Sequence, residues 1–374
     1  DFRKDNGPAI RKVCQQFVAL CRTMDLLDGD VVAIDGSRFK ALNAKARNYT
    51  RGKLRQKLGE IDKVIERYLD ELDRDDEVFE QTGTVLPEAR MERTLRKLEH
   101  LQKEAGRYRS IERRMDETGE TQVSLTDPDA RSMATTARMP RIVGYYVHTA
   151  VEADHHLIVT HDVTMLGFDR DALSMMAVAA RDEMTTDQLT AIVDKGYYKG
   201  EEIVASEDAG ISVVVPKPLT SNAAARGLFD KADFAYVAEQ DIYVCPAGEN
   251  LTYRFTGQQD GKAIRSYWSG ACADCVLKAK CTTSKERRVR RWEHEDVLER
   301  VQERLDADPA QLAVRSMTVE HPYGTIKSWM GATHFKMRTL KKVATEMALH
   351  VLAYNMTRVM KIMGIPAMIA AMKA

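Results

Sequence analysis

Residues 30–35 read DVVAID and are followed by Gly36-Ser37. A short apolar run that closes on an acid has the pattern of a buried strand with a carboxylate at its C-terminal end. The pattern recurs at residues 188–194, QLTAIVD, followed by Lys195-Gly196-Tyr197-Tyr198. In an open α/β sheet the strand C-termini line the ligand crevice, so Asp35 and Asp194 are the first candidates for chemistry. Two aspartates brought together suit Mg²⁺ (or Mn²⁺), hard cations that take oxygen ligands. Two such ions ~3.5–4 Å apart activate a nucleophile and stabilise the leaving oxygen of a phosphodiester.

A third carboxylate is expected from a helix. Glu320 stands in TVEHPYGTIKSWMG, residues 318–331. Proline is tolerated in the first turn of a helix, so Pro322 places Glu320 at the helix start. Lys327 follows seven residues later, two turns on and on the same face.

Outward from these acids the chain reads as follows. A helix is predicted over 8–25, with Cys14 and Cys21 on its buried side. Leu54, Leu58, Ile61, Ile65, Tyr68 and Leu72 form a heptad seam, broken at Gly83 and Pro87. Residues 50–81 and 87–117 are therefore read as an antiparallel helical hairpin. Strands at 141–150 and 156–163 are joined by a turn at Glu152-Ala153-Asp154, and 211–216 is a further strand. Helices are expected at 169–184 and 199–208, and again at 293–306, 320–330 and 338–363. Asp127 and Asp129, in TDPDAR, are read as turn residues, and the Met-rich C-terminus as core filler.

Residues 217–315 interrupt this α/β rhythm. Cys245, Cys272, Cys275 and Cys281 follow a C-x26-C-x2-C-x5-C spacing. Thiolates so spaced, in a chain with no secretory leader, suit a structural Zn²⁺ site, with redox-inert thiols as the alternative, better than disulfides.

The 374 residues carry 56 Lys+Arg and 56 Asp+Glu, for a net charge of zero. That excludes a uniformly basic nucleic-acid coat but leaves local patches. Arg38 and Lys40 open a basic run after Asp35, and Lys285, Arg287, Arg288, Arg290 and Arg291 form a second cluster. Lys336, Arg338, Lys341 and Lys342 form a third. Cations so grouped beside a crevice neutralise phosphates, which supplies most of the affinity for DNA. No stretch reaches the ~18 apolar residues of a membrane span, so the expected location is cytoplasmic, at the nucleoid. Residue 1 is Asp, so the chain is expected to begin inside a longer reading frame.

Six ordered blocks carry a family resemblance: VVAIDGSRFKALNAK, SLTDPDARSM, GYYVHTAVEADHHLIVTHDVT, AIVDKGYYKGEEI, SGACADCVLKAKC and VEHPYGTIKSWMGATHFKMRTLKKVATEMALHVLAYNMTRV. Together they resemble the insertion-sequence transposases with an Asp–Asp–Glu catalytic core. The resemblance implies an α/β, ribonuclease-H-like mixed sheet flanked by helices, and an enzyme that cuts transposon ends and joins the 3′-OH to target DNA. It implies Asp35, Asp194 and Glu320 as catalytic metal ligands and Lys327 as a DNA contact. It also implies double-stranded DNA as partner and a homodimer on that DNA.

The implied organisation is a remnant N-terminal helical region at 1–29 and a core at 30–49 and 121–216. A helical hairpin is inserted at 50–120 and a cysteine-bearing insertion at 217–315, and the C-terminal core helices follow at 316–374. Relatives carry Tyr seven and Arg four residues before the Glu. Here Ala313 and Ser316 stand there, with Arg315 one place off and expected as a DNA contact. Two rival readings are a DNA-binding remnant without catalysis and a metal nuclease that cuts without joining.

Overall fold

The computed structural model describes residues 2–83, 88–133, 141–218 and 222–373. Pro87, read as a helix breaker, lies outside them. Helices α1 (Phe2–Asp5) and α2 (Gly7–Thr23) lead into strand β1 (Val31–Lys40). The helices α3 (Arg51–Thr82) and α4 (Glu88–Thr118) run between the short paired strands β2 (Asn48–Thr50) and β3 (Gln122–Ser124). Next come β4 (Arg131–Met133), β5 (Ile142–Glu152), β6 (Ile158–Thr164), α5 (Leu173–Met184), β7 (Leu189–Ile192), α6 (Gly200–Asp208) and β8 (Ile211–Val214).

These strands form one mixed sheet in the order β4-β5-β1-β7-β8, with β6 also paired to β5. The β6, β5 and β1 strands run antiparallel, and β1, β7 and β8 parallel. With helices on both faces, this mixed α/β arrangement is compatible with the ribonuclease-H-like sheet expected from the sequence.

Strand β1 is longer than predicted. It continues past Asp35 to Lys40 because β5 pairs with it along its whole length, Val32↔Glu152 to Lys40↔Gly144. Its parallel pairing with β7 ends at Ala33↔Ile192. Side chains alternate across the sheet. Val32 and Ile34 enter a core with Leu173 and Met176 of α5, and Ala33 and Phe39 enter the opposite core with Val319, Tyr323 and Val343. Asp35 shares the second face, at the point where β7 no longer covers the edge.

A second sheet of five antiparallel strands follows: β9 (Ala235–Val237), β10 (Ile242–Val244), β11 (Asn250–Gln259), β12 (Lys262–Trp268) and β13 (Val289–Trp292). Helix α7 (Lys278–Cys281) lies between β12 and β13. The chain ends in α8 (Glu295–Ala307), α9 (Gln311–Gly324), a π-helical turn at Thr325–Trp329, α10 (Leu340–Met363) and α11 (Ile365–Lys373).

The α3–α4 pair appears as read, with Leu54, Ile61, Ala105, Tyr108, Ile111 and Met115 in its own core. Thr50 caps α3 by accepting from the Lys53 N–H at 3.3 Å. Helix α9 differs from the reading. It begins at Gln311, so Glu320 lies well inside it and Pro322 is an interior proline. An interior proline lacks the N–H that would bond back to Thr318 and crowds that residue's carbonyl. The ladder widens to a π turn three residues on, a usual response to such a break. The C-terminus also differs: Met368 is buried, but Ile365, Ile369 and Met372 of α11 are exposed.

The TDPDAR aspartates do more than make a turn. Asp127 is fully buried, accepts the Tyr145 hydroxyl at 2.8 Å and the Thr339 N–H at 3.0 Å, while Asp129 accepts the Leu340 N–H at 2.7 Å. They cap the N-terminus of α10, where free N–H groups favour carboxylates. Replacing Asp127 with Ala strands a buried hydroxyl and a helix N–H. The expected loss is about 3 kcal/mol in urea unfolding; an unchanged midpoint would show that the cap contributes nothing to stability.

Candidate active site

Asp35 and Asp194 come together. Asp194 follows β7 and caps a short 3-10 turn, its Oδ1 accepting the Gly196 N–H at 2.7 Å. Asp35 Oδ1 accepts the Gly36 N–H at 2.8 Å. Arg315, projecting from α9, joins the two: its Nη2 lies 2.8 Å from Asp35 Oδ1 and 3.9 Å from Asp194 Oδ2. One guanidinium nitrogen is thus within reach of both carboxylates. Burial pushes the Asp35 carboxyl up to about 6, against the lowering pull of Arg315 and the Gly36 N–H. Neighbouring Asp194 and Asp169 raise it further.

Tyr323 holds α9 against β1. Its buried hydroxyl lies 2.8 Å from the Val147 carbonyl and 3.0 Å from the Asp35 carbonyl, and accepts from Thr149 at 3.1 Å. Sequence reasoning misses it because the segment draws attention to Glu320 and Lys327 alone. The apolar spacing Val319, Tyr323, Ile326 is the signal that marks this buried face.

Glu320 is exposed and has no described contact with Asp35 or Asp194. It lines a pocket with His321, Trp329, Tyr354, Arg358 and Lys361. Lys327 turns the other way, its Nζ donating to Ser37 Oγ at 2.5 Å and lying 4.6 Å from the Phe39 ring centre. Burial lowers its basicity, and nearby Arg38 adds to the effect. The common face expected for Glu320 and Lys327 assumed regular 3.6-residue turns, and the π turn intervenes.

The basic candidates divide. Arg38 donates to the Gly167 carbonyl at 3.3 Å and lies over Tyr146; Lys40 is exposed. On β13, Arg290 is exposed and Arg291 is buried, held bidentately by Glu299 at 2.5 and 2.7 Å. Arg291 is therefore turned inward, away from any DNA surface. Arg288 is exposed over Trp268, and half-buried Arg287 lies over Phe234 beside the cysteines. Arg315, read as a DNA contact, is engaged by the aspartates.

Cys245, Cys272, Cys275 and Cys281 line one largely apolar pocket with Phe229, Phe234 and Leu251. All four are free thiols. Burial pushes the Cys281 thiol up, and its three neighbours add to the shift although Arg287 opposes it. Among the described residues no three His, Cys, Asp or Glu side chains stand in a ready metal-binding arrangement.

Arg315 neutralises an otherwise repulsive pair. Arg315→Gln is expected to cost about 2 kcal/mol in metal-free urea unfolding, below the roughly 3–5 of a fully buried pair because Asp194 is 40% exposed. Added Mg²⁺ should restore more stability in this variant than in the parent. An equal response in both would show that the arginine is not the counter-ion of the pair.

Residues 244–360 match the family described as Transposase DDE domain. The match takes in the cysteines, α8, α9 and most of α10, and does not reach Asp35 or Asp194. No curated protein and no solved structure matches the chain.

Proposed function

We propose, from the match of residues 244–360 to the Transposase DDE domain family, that the chain cuts DNA at transposon ends and joins the freed 3′-OH to a target phosphodiester. The observation that best supports this is the convergence of Asp35 and Asp194 on one cationic nitrogen, at 2.8 and 3.9 Å. Two carboxylates already gathered around a positive charge offer the hard oxygen donors that Mg²⁺ or Mn²⁺ takes. Asp35 and Asp194 would hold the ion, with Glu320 as the family's third acid. When bound, two such ions supply charge stabilisation and an activated attacking oxygen.

The protein's own residues do the rest. The Gly36 and Gly196 N–H groups fix the inner oxygens of the two aspartates. Arg315, once released from them, is placed to hold a phosphate oxygen. Lys40, Arg288 and Arg290 are exposed cations for the DNA backbone, and Arg38 and Lys327 flank Asp35 along β1. The family makes double-stranded DNA the partner, and a pair of transposon ends calls for two copies of the chain.

The test is strand transfer with pre-cut duplexes carrying the terminal repeats that flank its own coding sequence, in Mg²⁺. Asp35→Asn and Asp194→Asn are each expected to lower joining about 100-fold or more. Joining at the parental rate by either variant would overturn the two-aspartate site. Glu320→Gln at the parental rate would remove Glu320 from it. Glu320, exposed and without a described contact to either aspartate, favours a second reading, end-specific DNA binding without catalysis. That reading holds if the parent binds ends and neither cuts nor joins them. Cutting without joining would identify a nuclease.

The four thiols share a pocket without standing in a ready metal-binding arrangement; a structural Zn²⁺, which takes four sulfur ligands, would have to draw them together. Elemental analysis is expected to find one Zn²⁺ per chain, and its removal by chelation to lower the melting temperature. Metal-free protein with an unchanged melt would leave the thiols as apolar packing.

A further inference from the structure

Trp329 closes the π turn that follows α9, and it is 89% exposed. Tryptophan is highly buried on average, so an indole left almost wholly in water calls for a reason. The backbone supplies the local one. The Met330 N–H reaches back five residues to the Thr325 carbonyl, at 3.0 Å. In a regular α-helix a residue lies near the face of the one three before it. Here Ile326 is fully buried and Trp329 is not. The widened turn carries the ring off the buried face.

The ring does not stand alone. It lines an open pocket of about 530 Å³ with Met330 and with Tyr354, Arg358 and Lys361 of α10. That volume lies within the ~300–1,000 Å³ of sites that take small ligands. Arg358 is anchored by its Nε, which donates to the His155 carbonyl at 2.7 Å, and its two terminal nitrogens have no described partner. Lys361, one turn on, is exposed and forms no described ion pair. Glu320 lines the same pocket, and the two cations outnumber it.

Tyr354 fixes the pocket's wall. Its buried hydroxyl donates to the His156 carbonyl at 2.8 Å, so the 2.9 Å contact with His321 is a bond donated by the imidazole Nδ1. Burial lowers the His321 pKa, and Arg358 and Lys361 add to the effect, so the ring is neutral. Helices α9 and α10 are thereby tied together beneath the exposed indole.

An aromatic face beside cations with free donors is what an unpaired nucleotide requires. Its base stacks on the ring, and its phosphate meets the cations. In duplex DNA the bases cover one another and offer the indole no face. An apolar protein surface would bury Arg358 and Lys361 without partners, which disfavours it as the occupant.

We infer that this pocket receives one unpaired nucleotide of a DNA strand, its base stacked on Trp329 and its phosphate held by Arg358 and Lys361. The inference takes DNA as the ligand from the reading above and uses neither aspartate.

The test is fluorescence anisotropy on the full chain with no divalent metal added. The probes are a labelled oligothymidylate of about 15 nucleotides and a mixed-sequence duplex of the same length. Trp329→Ala is expected to weaken the single strand about tenfold and to leave the duplex unchanged. Trp329→Phe should keep most of the affinity, and neither variant should shift the melting temperature, because the side chain is exposed. Lys361→Gln should flatten the salt dependence of single-strand binding by about one phosphate contact. Parental single-strand affinity in Trp329→Ala overturns the inference. So does an equal loss on both probes, which would make the indole a backbone contact. Loss of self-association in Trp329→Ala with single-strand affinity kept also overturns it, and assigns the face to a second copy of the chain. No strand is cut or joined in this assay, so its failure leaves the strand-transfer reading standing, and failure of strand transfer leaves the pocket.

Discussion

The site depends on a mismatch in strand length. β1 is paired to β5 from end to end, but its parallel partner β7 leaves it at Ala33. From Ile34 onward one edge of a central strand lacks its neighbour. Unpaired backbone groups in a sheet interior are costly, so something must cover that edge. Two contacts do so: the Gly36 N–H donates to Asp35 Oδ1 at 2.8 Å, and the Lys40 carbonyl accepts the Phe335 N–H at 2.8 Å. Helix α9 packs on the sheet face over β1 and β5, its Tyr323 hydroxyl at the Asp35 and Val147 carbonyls, and delivers Arg315 to the strand end. Strand end, helix docking and counter-ion belong to one arrangement.

That arrangement sets local stability against function. Asp35 and Asp169 are driven up in pKa chiefly by burial, so the fold holds charged groups where it disfavours charge. Elsewhere the same chain treats buried carboxylates differently. Glu346 accepts the Lys336 and Met337 N–H groups at 2.8–3.0 Å, and Asp127 accepts a hydroxyl and a helix N–H. Those acids are satisfied by the backbone and serve the fold. The acids around Gly36 and Gly196 are satisfied in part, which is the local inconsistency expected where a structure is built for something other than stability.

Much of this is legible in the sequence. The apolar runs ending at Asp35 and Asp194 do bring their acids to one guanidinium, because buried strands need continuous apolar residues and the first polar residue marks their exit. The seam from Leu54 to Leu72 yields α3 because a heptad pattern is long and redundant. Arg291 is misread as a DNA contact, although the information is there. Val289, Arg290 and Arg291 sit on a strand whose sides alternate, and the paired side is the one facing Glu299. Reading five cations as one cluster ignores that period of two.

Pro322 shows how one residue type can point two ways. As a start signal it would put Glu320 in a first turn, with its carboxylate at the helix dipole's positive end. As an interior proline it leaves Glu320 late in α9 and is followed by a π turn. The consequence is geometric. Val319, Tyr323 and Ile326 are all buried, so the helix has no freedom to roll Glu320 toward β1 without lifting its apolar face from the core. Any approach of Glu320 to the aspartates must therefore come from its side-chain rotamers or from movement of α9 as a body. Movement of α9 would also break the Tyr323 contacts and withdraw Arg315. Release of Arg315 and arrival of Glu320 would then be one motion, not two.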